Sequence, residues 1–120
     1  MPRTDIAVQI PLGPFPTLPV AANALDITVQ AADVANMNQF TFTGKELIVV
    51  KNDDAGAQTF TFTSVADEQK RTGDITAFSL GATEYAAFMA TSLKGWQQSD
   101  GKFYLQASSA NIKFAILRLP

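Results

Sequence analysis

A period of two runs through most of this chain, and few architectures accommodate it. Phe40-Thr41-Phe42-Thr43 and Phe60-Thr61-Phe62-Thr63 each set aromatic rings on one face and β-branched hydroxyls on the other. Leu25, Ile27 and Val29 alternate with Asp26, Thr28 and Gln30, and Phe103, Leu105 and Ala107 alternate with Tyr104 and Gln106. In a strand, successive side chains point to opposite faces, so each segment reads as a half-buried strand. Leu47-Ile48-Val49-Val50 is an unbroken apolar run, β-branched from Ile48 onward, which predicts a central strand covered on both faces. Ile75 to Leu80 and Ile112 to Leu117 complete the clear segments. Glu84 to Met89 also fits a helical spacing, with Gly95 as a C-cap, but its short neighbours favour a strand.

Turn residues separate these segments. Asn52-Asp53-Asp54-Ala55-Gly56 predicts a return of Phe60–Thr63 antiparallel to Leu47–Val50, and Asp100-Gly101 predicts another tight turn. About eight short strands without a long helix give an all-β fold, an antiparallel β-sandwich or squat, jelly-roll-like barrel. The two Phe-Thr-Phe-Thr segments share nothing around them and read as two strands meeting one packing demand, not as a duplicated unit.

Proline divides the chain. Five of its six prolines fall before Val20, and the sixth is Pro120. Because proline cannot donate to a ladder, residues 1–20 read as an extended N-terminal arm and residues 21–120 as a single β domain. No charge occurs from Ile6 to Leu25, yet the prolines break any apolar run well short of the roughly 20 residues a spanning helix needs. Asp5 sits where a basic leader belongs, so the segment reads as part of the mature protein, with no membrane partner. An arm carrying Ile10, Leu12, Phe15 and Leu18 would fold back over its own domain or lie on a neighbour.

Composition narrows the chemistry. With no cysteine and no histidine, the chain cannot supply a thiolate nucleophile, a Cys/His zinc site or a Ser-His-Asp triad. Nine basic and eleven acidic side chains, scattered singly, make no basic stripe for nucleic acid. Asp53/Asp54 and Asp67/Glu68 are the carboxylate pairs left to test, and adjacent residues either diverge or face water. Asn52-Asp53-Asp54 lacks the spaced oxygens of a calcium loop. No enzyme activity, cofactor or metal is therefore expected. Trp96, beside Gln97-Gln98, either covers one end of the β core or anchors a partner or a sugar ring.

Several segments together carry a resemblance: Thr43-Gly44-Lys45-Glu46-Leu47-Ile48-Val49-Val50-Lys51-Asn52, Arg71-Thr72-Gly73-Asp74-Ile75, Gly95-Trp96 with Gln98-Ser99-Asp100-Gly101-Lys102-Phe103-Tyr104, and Phe114-Ala115-Ile116-Leu117-Arg118-Leu119. From Ala24 onward the chain resembles small β-rich virion proteins of tailed bacteriophages, of the capsid decoration or cement type. The resemblance implies a non-enzymatic protein made in the host bacterial cytoplasm and placed on the outer capsid surface. Its partners would be the major capsid protein and neighbouring copies of itself, commonly as a trimer. Ile10, Leu12, Phe15, Leu18 and Trp96 are the candidate partner-binding residues. A tail or head–tail connector protein and a carbohydrate-binding module are the alternatives.

Overall fold

From Asn38 onward every alternating segment forms a strand, because one face of each finds the same core. The computed structural model describes residues 2–11 and 21–119. It contains β1 (Thr4–Asp5), β2 (Val8–Gln9), β3 (Gln30–Ala31), β4 (Asn38–Thr41), β5 (Glu46–Asn52), β6 (Gln58–Thr63), β7 (Ile75–Leu80), β8 (Tyr85–Met89), β9 (Lys102–Ala107) and β10 (Ile112–Arg118). The fold is all-β, a sandwich of two mixed sheets. The first runs β1-β4-β9-β6-β7; the second runs β2-β10-β5-β8, with β3 also on β10. Both β1 and β2 are parallel to their neighbours, and the remaining pairings are antiparallel.

The core lies between the sheets. Phe40, Phe62 and Phe103 from the first meet Ile48, Val50, Phe114 and Ile116 from the second, and all are buried. Phe103 is the hub, stacked on Phe40 at 5.1 Å and edge-on to Phe62 at 5.5 Å between ring centroids. These offset and T-shaped contacts suit the ring quadrupoles and add to the area buried. The segment from Glu84 to Met89 is extended and not helical, with Tyr85–Met89 forming β8 in unbroken register with β5.

Four expectations are corrected. Leu25 to Val29 is not a strand, and only Gln30 and Ala31 of that region pair with β10. The edge of β10 at Ile116 and Leu117 is already taken by β2. Thr28 instead pairs with a side chain: its N–H donates to Gln9 Oε1 at 2.9 Å while its carbonyl accepts from Gln9 Nε2.

The Asn52–Gly56 turn does not return the chain beside β5 either. It carries the chain into the other sheet, where β6 pairs with β7 and β9. The buried Asn52 amide directs this crossing, donating to Leu80 O at 2.9 Å and Gly56 O at 3.0 Å while its Oδ1 accepts from the Asp54 N–H. β5 is central in its sheet, as expected, but Leu47 and Val49 on its outer face are only half-buried.

The N-terminal boundary moves too. Of the segment read as an arm, residues 4–9 belong to both sheets: β1 extends the first, Ile6 is buried at the crossing, and β2 extends the second. Thr4 and Ile6 donate their N–H groups to Met37 and Gln39 carbonyls. The Arg3 guanidinium lies 4.1 Å from the Tyr104 ring centre and donates to Asn38 O.

Candidate interaction surface

Beyond β2 the chain leaves the sheet at Ile10, and it returns alongside at Ala24 to Ile27. Gln9, Ile10, Pro11, Ala24, Leu25, Asp26, Ile27 and Leu117 line a groove of about 220 Å³ there. The Gln9 amide pins its two walls together through Thr28. The aliphatic side chains on this groove stand in water: Ile10 is 72% exposed, Leu25 69% and Ile27 55%. Large apolar side chains clustered this way, unlike scattered single ones, mark surfaces that a partner covers.

Among the five residues singled out in the sequence, Ile10 is on this surface, while Leu12, Phe15 and Leu18 lie outside the described residues. Trp96 is elsewhere and inward. Its ring stacks on Phe103 at 5.4 Å and meets Phe88 edge-on at 5.2 Å, so it packs against the core and offers no free face comparable to Ile10. The loop around it is tied down by Val65 N–H to Gly95 O and by Gln97 Nε2 to Phe42 O. Tyr104 is likewise engaged, with Arg3 over its ring and its hydroxyl donating to Asp100. Leu25 and Ile27 were missed as surface residues because their alternation is that of a core strand, and Leu117 because it ends the apolar run of the last strand.

The carboxylates are built into the scaffold. Asp53 bridges Lys51 at 3.1 Å and Lys113 at 3.2 Å, and hydrogen bonds from both ammonium groups hold its carboxyl below the usual range. Asp54 is lowered by hydrogen bonds from Asn111 and Gln58. A general acid needs the opposite shift, a carboxyl raised by burial or by a like charge. Asp67 is lowered as well, held by the backbone N–H and guanidinium of Arg71. No group of three or more acidic side chains among the described residues is arranged to hold a metal ion.

Among family models, curated proteins and solved structures, none matches the chain.

Proposed function

We propose that this is a non-enzymatic virion structural protein, a decoration or cement protein that binds the outside of a phage head and stabilises it by bridging subunits. The observation that carries the reading is the exposed apolar groove at Ile10, Leu25 and Ile27, mounted on a body whose own polar groups are satisfied. Among the described residues, no buried side-chain nitrogen or oxygen lacks a hydrogen-bond partner. A bridging protein needs that combination, since a stiff body transmits load and an apolar contact holds it in place. Covering these three aliphatic side chains contributes on the order of 4 kcal/mol per copy, given roughly 1.5–3 kcal/mol for each fully buried one. That is weak singly. Repeated over the symmetric sites of a shell, where copies also contact one another, it becomes strong.

The test is co-sedimentation of the purified full chain with mature, undecorated capsids, comparing wild type with Ile10→Asp/Leu25→Asp/Ile27→Asp. The triple variant should keep its thermal midpoint, because all three side chains are exposed, and should stop pelleting with capsids. Equal binding by both forms would overturn the role of the groove, and no saturable binding by wild type would overturn the decoration reading. Removal of residues 1–19 is a poorer probe, because it takes β1, β2 and the buried Ile6 from the sheets.

A further inference from the structure

The side of the sandwich opposite β1 and β2 is open. There β7 and β8 are the last strands of their sheets, each paired on one side only among the described residues. Between them lies an apolar cleft of about 120 Å³, lined in part by Phe60, Phe62, Phe78, Ala86 and Phe88. Neither strand carries a charge or a proline, the usual devices that keep an edge from pairing. The two edges nevertheless differ. β7 is irregular: its register with β6 shifts between Phe60 and Phe62, and Ala77 has a φ of 50°. Such a bulge twists an edge away from a partner. β8 follows β5 without interruption from Tyr85 to Met89.

The register also shows which backbone groups of β8 are free. Asn52 N–H donates to Glu84 O at 3.0 Å, so Asn52 and Glu84 form a hydrogen-bonded pair one step beyond Lys51 and Tyr85. Antiparallel pairs alternate, so Ala86 and Phe88 turn their N–H and C=O groups towards β5, while Tyr85, Ala87 and Met89 turn theirs outward. We infer that two copies of the chain pair antiparallel through β8 about a two-fold axis at Ala87. Tyr85 then opposes Met89 of the second copy, Ala87 opposes Ala87, and all the outward groups are used, giving about six hydrogen bonds.

The side chains suit this register. On the outer face the exposed Tyr85 ring meets a methionine thioether, a favourable contact; on the inner face Phe88 meets the small Ala86 beside the cleft. Tyr85, Met89 and Phe78 together expose on the order of 300 Å² per copy, taking about 150–250 Å² for each whole aromatic side chain. With the backbone included, the pair would cover about 1,000 Å², the lower limit for a specific interface. Association in the micromolar range or weaker is therefore expected. This inference does not rest on the decoration reading, since it concerns the free protein in solution.

Sedimentation equilibrium of the full chain, from micromolar to millimolar concentration, should show a monomer–dimer equilibrium. Ala87→Glu sets two carboxylates face to face at the axis, and Ala87→Lys sets two ammonium groups there. Each should weaken self-association by roughly tenfold or more. An equimolar mixture of the two variants should recover it. Ala87→Pro removes only an outward N–H, so it should fold and stay monomeric. Hydrogen exchange at Tyr85, Ala87 and Met89 should slow with concentration, while Ala86 and Phe88 amides are protected throughout. A chain that remains monomeric, one that forms trimers, or a dimer insensitive to Ala87→Glu would overturn the inference.

Discussion

Where the sheets meet along β1 and β2, one continuous segment belongs to both; where they meet along β7 and β8, two separate edges face each other across a cleft. The first side is fastened further by an ion pair. Glu46 is fully buried at the start of β5, and its carboxylate accepts from Arg118 Nε, Thr43 N–H and the Thr43 hydroxyl. Arg118, at the end of β10, also donates to Thr41 O in the first sheet. Backbone, apolar plug and charge thus all tie the sheets together on one side. On the other, no strand spans the cleft, and beside the buried Phe60 and Phe62 its lip is formed by the partly exposed rings of Phe78 and Phe88. Substitutions on the two sides should therefore cost very different amounts.

The largest effect is expected at Ile6, which fills the crossing between the sheets. Ile6→Ala removes buried aliphatic volume and should lower unfolding free energy by about 3 kcal/mol, as for other buried isoleucines. Urea unfolding followed by the fluorescence of the inward-facing Trp96 would measure it. A cost near zero would mean that residues 4–9 contribute little to the folded state, and the distinction between the two sides would disappear.

Glu46→Gln comes next, at about 2 kcal/mol, because it weakens charge-assisted hydrogen bonds at a buried site. The same residue makes the fastened side sensitive to acid. Burial acts to raise the Glu46 carboxyl, but hydrogen bonds from Thr43 and Arg118 outweigh it and hold the group below its ordinary 4.5. A folded-state value lowered in this way contributes stability above the unfolded value and loses it as pH falls through the folded one. Wild type should therefore destabilise below about pH 4.5. Asp33, Asp53 and Asp54, also lowered by hydrogen bonds, add to the trend. The Glu46→Gln variant should show a shallower acid dependence over the same range, measured by denaturation at a series of pH values.

The strands from Asn38 onward were legible because alternation is a local property, and each segment reports its own two faces. Pairing is not local. Asn52–Gly56 has the composition of a hairpin turn, but the Asn52 side chain reaches the end of β7, and no spacing announces that contact. Leu25 to Val29 carries the same pattern as a core strand and is excluded by a competitor, β2, from far earlier in the chain. The prolines from Pro11 onward drew Thr4–Asp5 and Val8–Gln9 into the reading of an arm, although both pair in the sheets. The candidate surface was half-legible for the same reason. Ile10 stood out as apolar within an uncharged stretch, whereas Leu25, Ile27 and Leu117 join it only through the Gln9–Thr28 clamp. The uncharged β8 edge could be read from composition, but the outward direction of its Ala87 N–H required the register.

The smallest effect is expected on the open side, at Phe78. This residue is 48% exposed, and its ring lies 5.2 Å from that of Phe60 at the lip of the cleft. A phenylalanine buried completely contributes roughly 1.5–3 kcal/mol, so a half-covered one contributes about 1 kcal/mol. The neighbouring rings of an open cleft can also settle into the space left behind. Phe78→Ser should then cost about 1 kcal/mol or less in dilute solution, well below Ile6→Ala. The cost should grow with protein concentration if a second copy paired along β8 covers the cleft, because a substitution that removes covered surface weakens association as well as folding. A cost of about 3 kcal/mol in dilute monomer would instead mean that the cleft is closed in solution, and that the two sides of the sandwich are equally sealed.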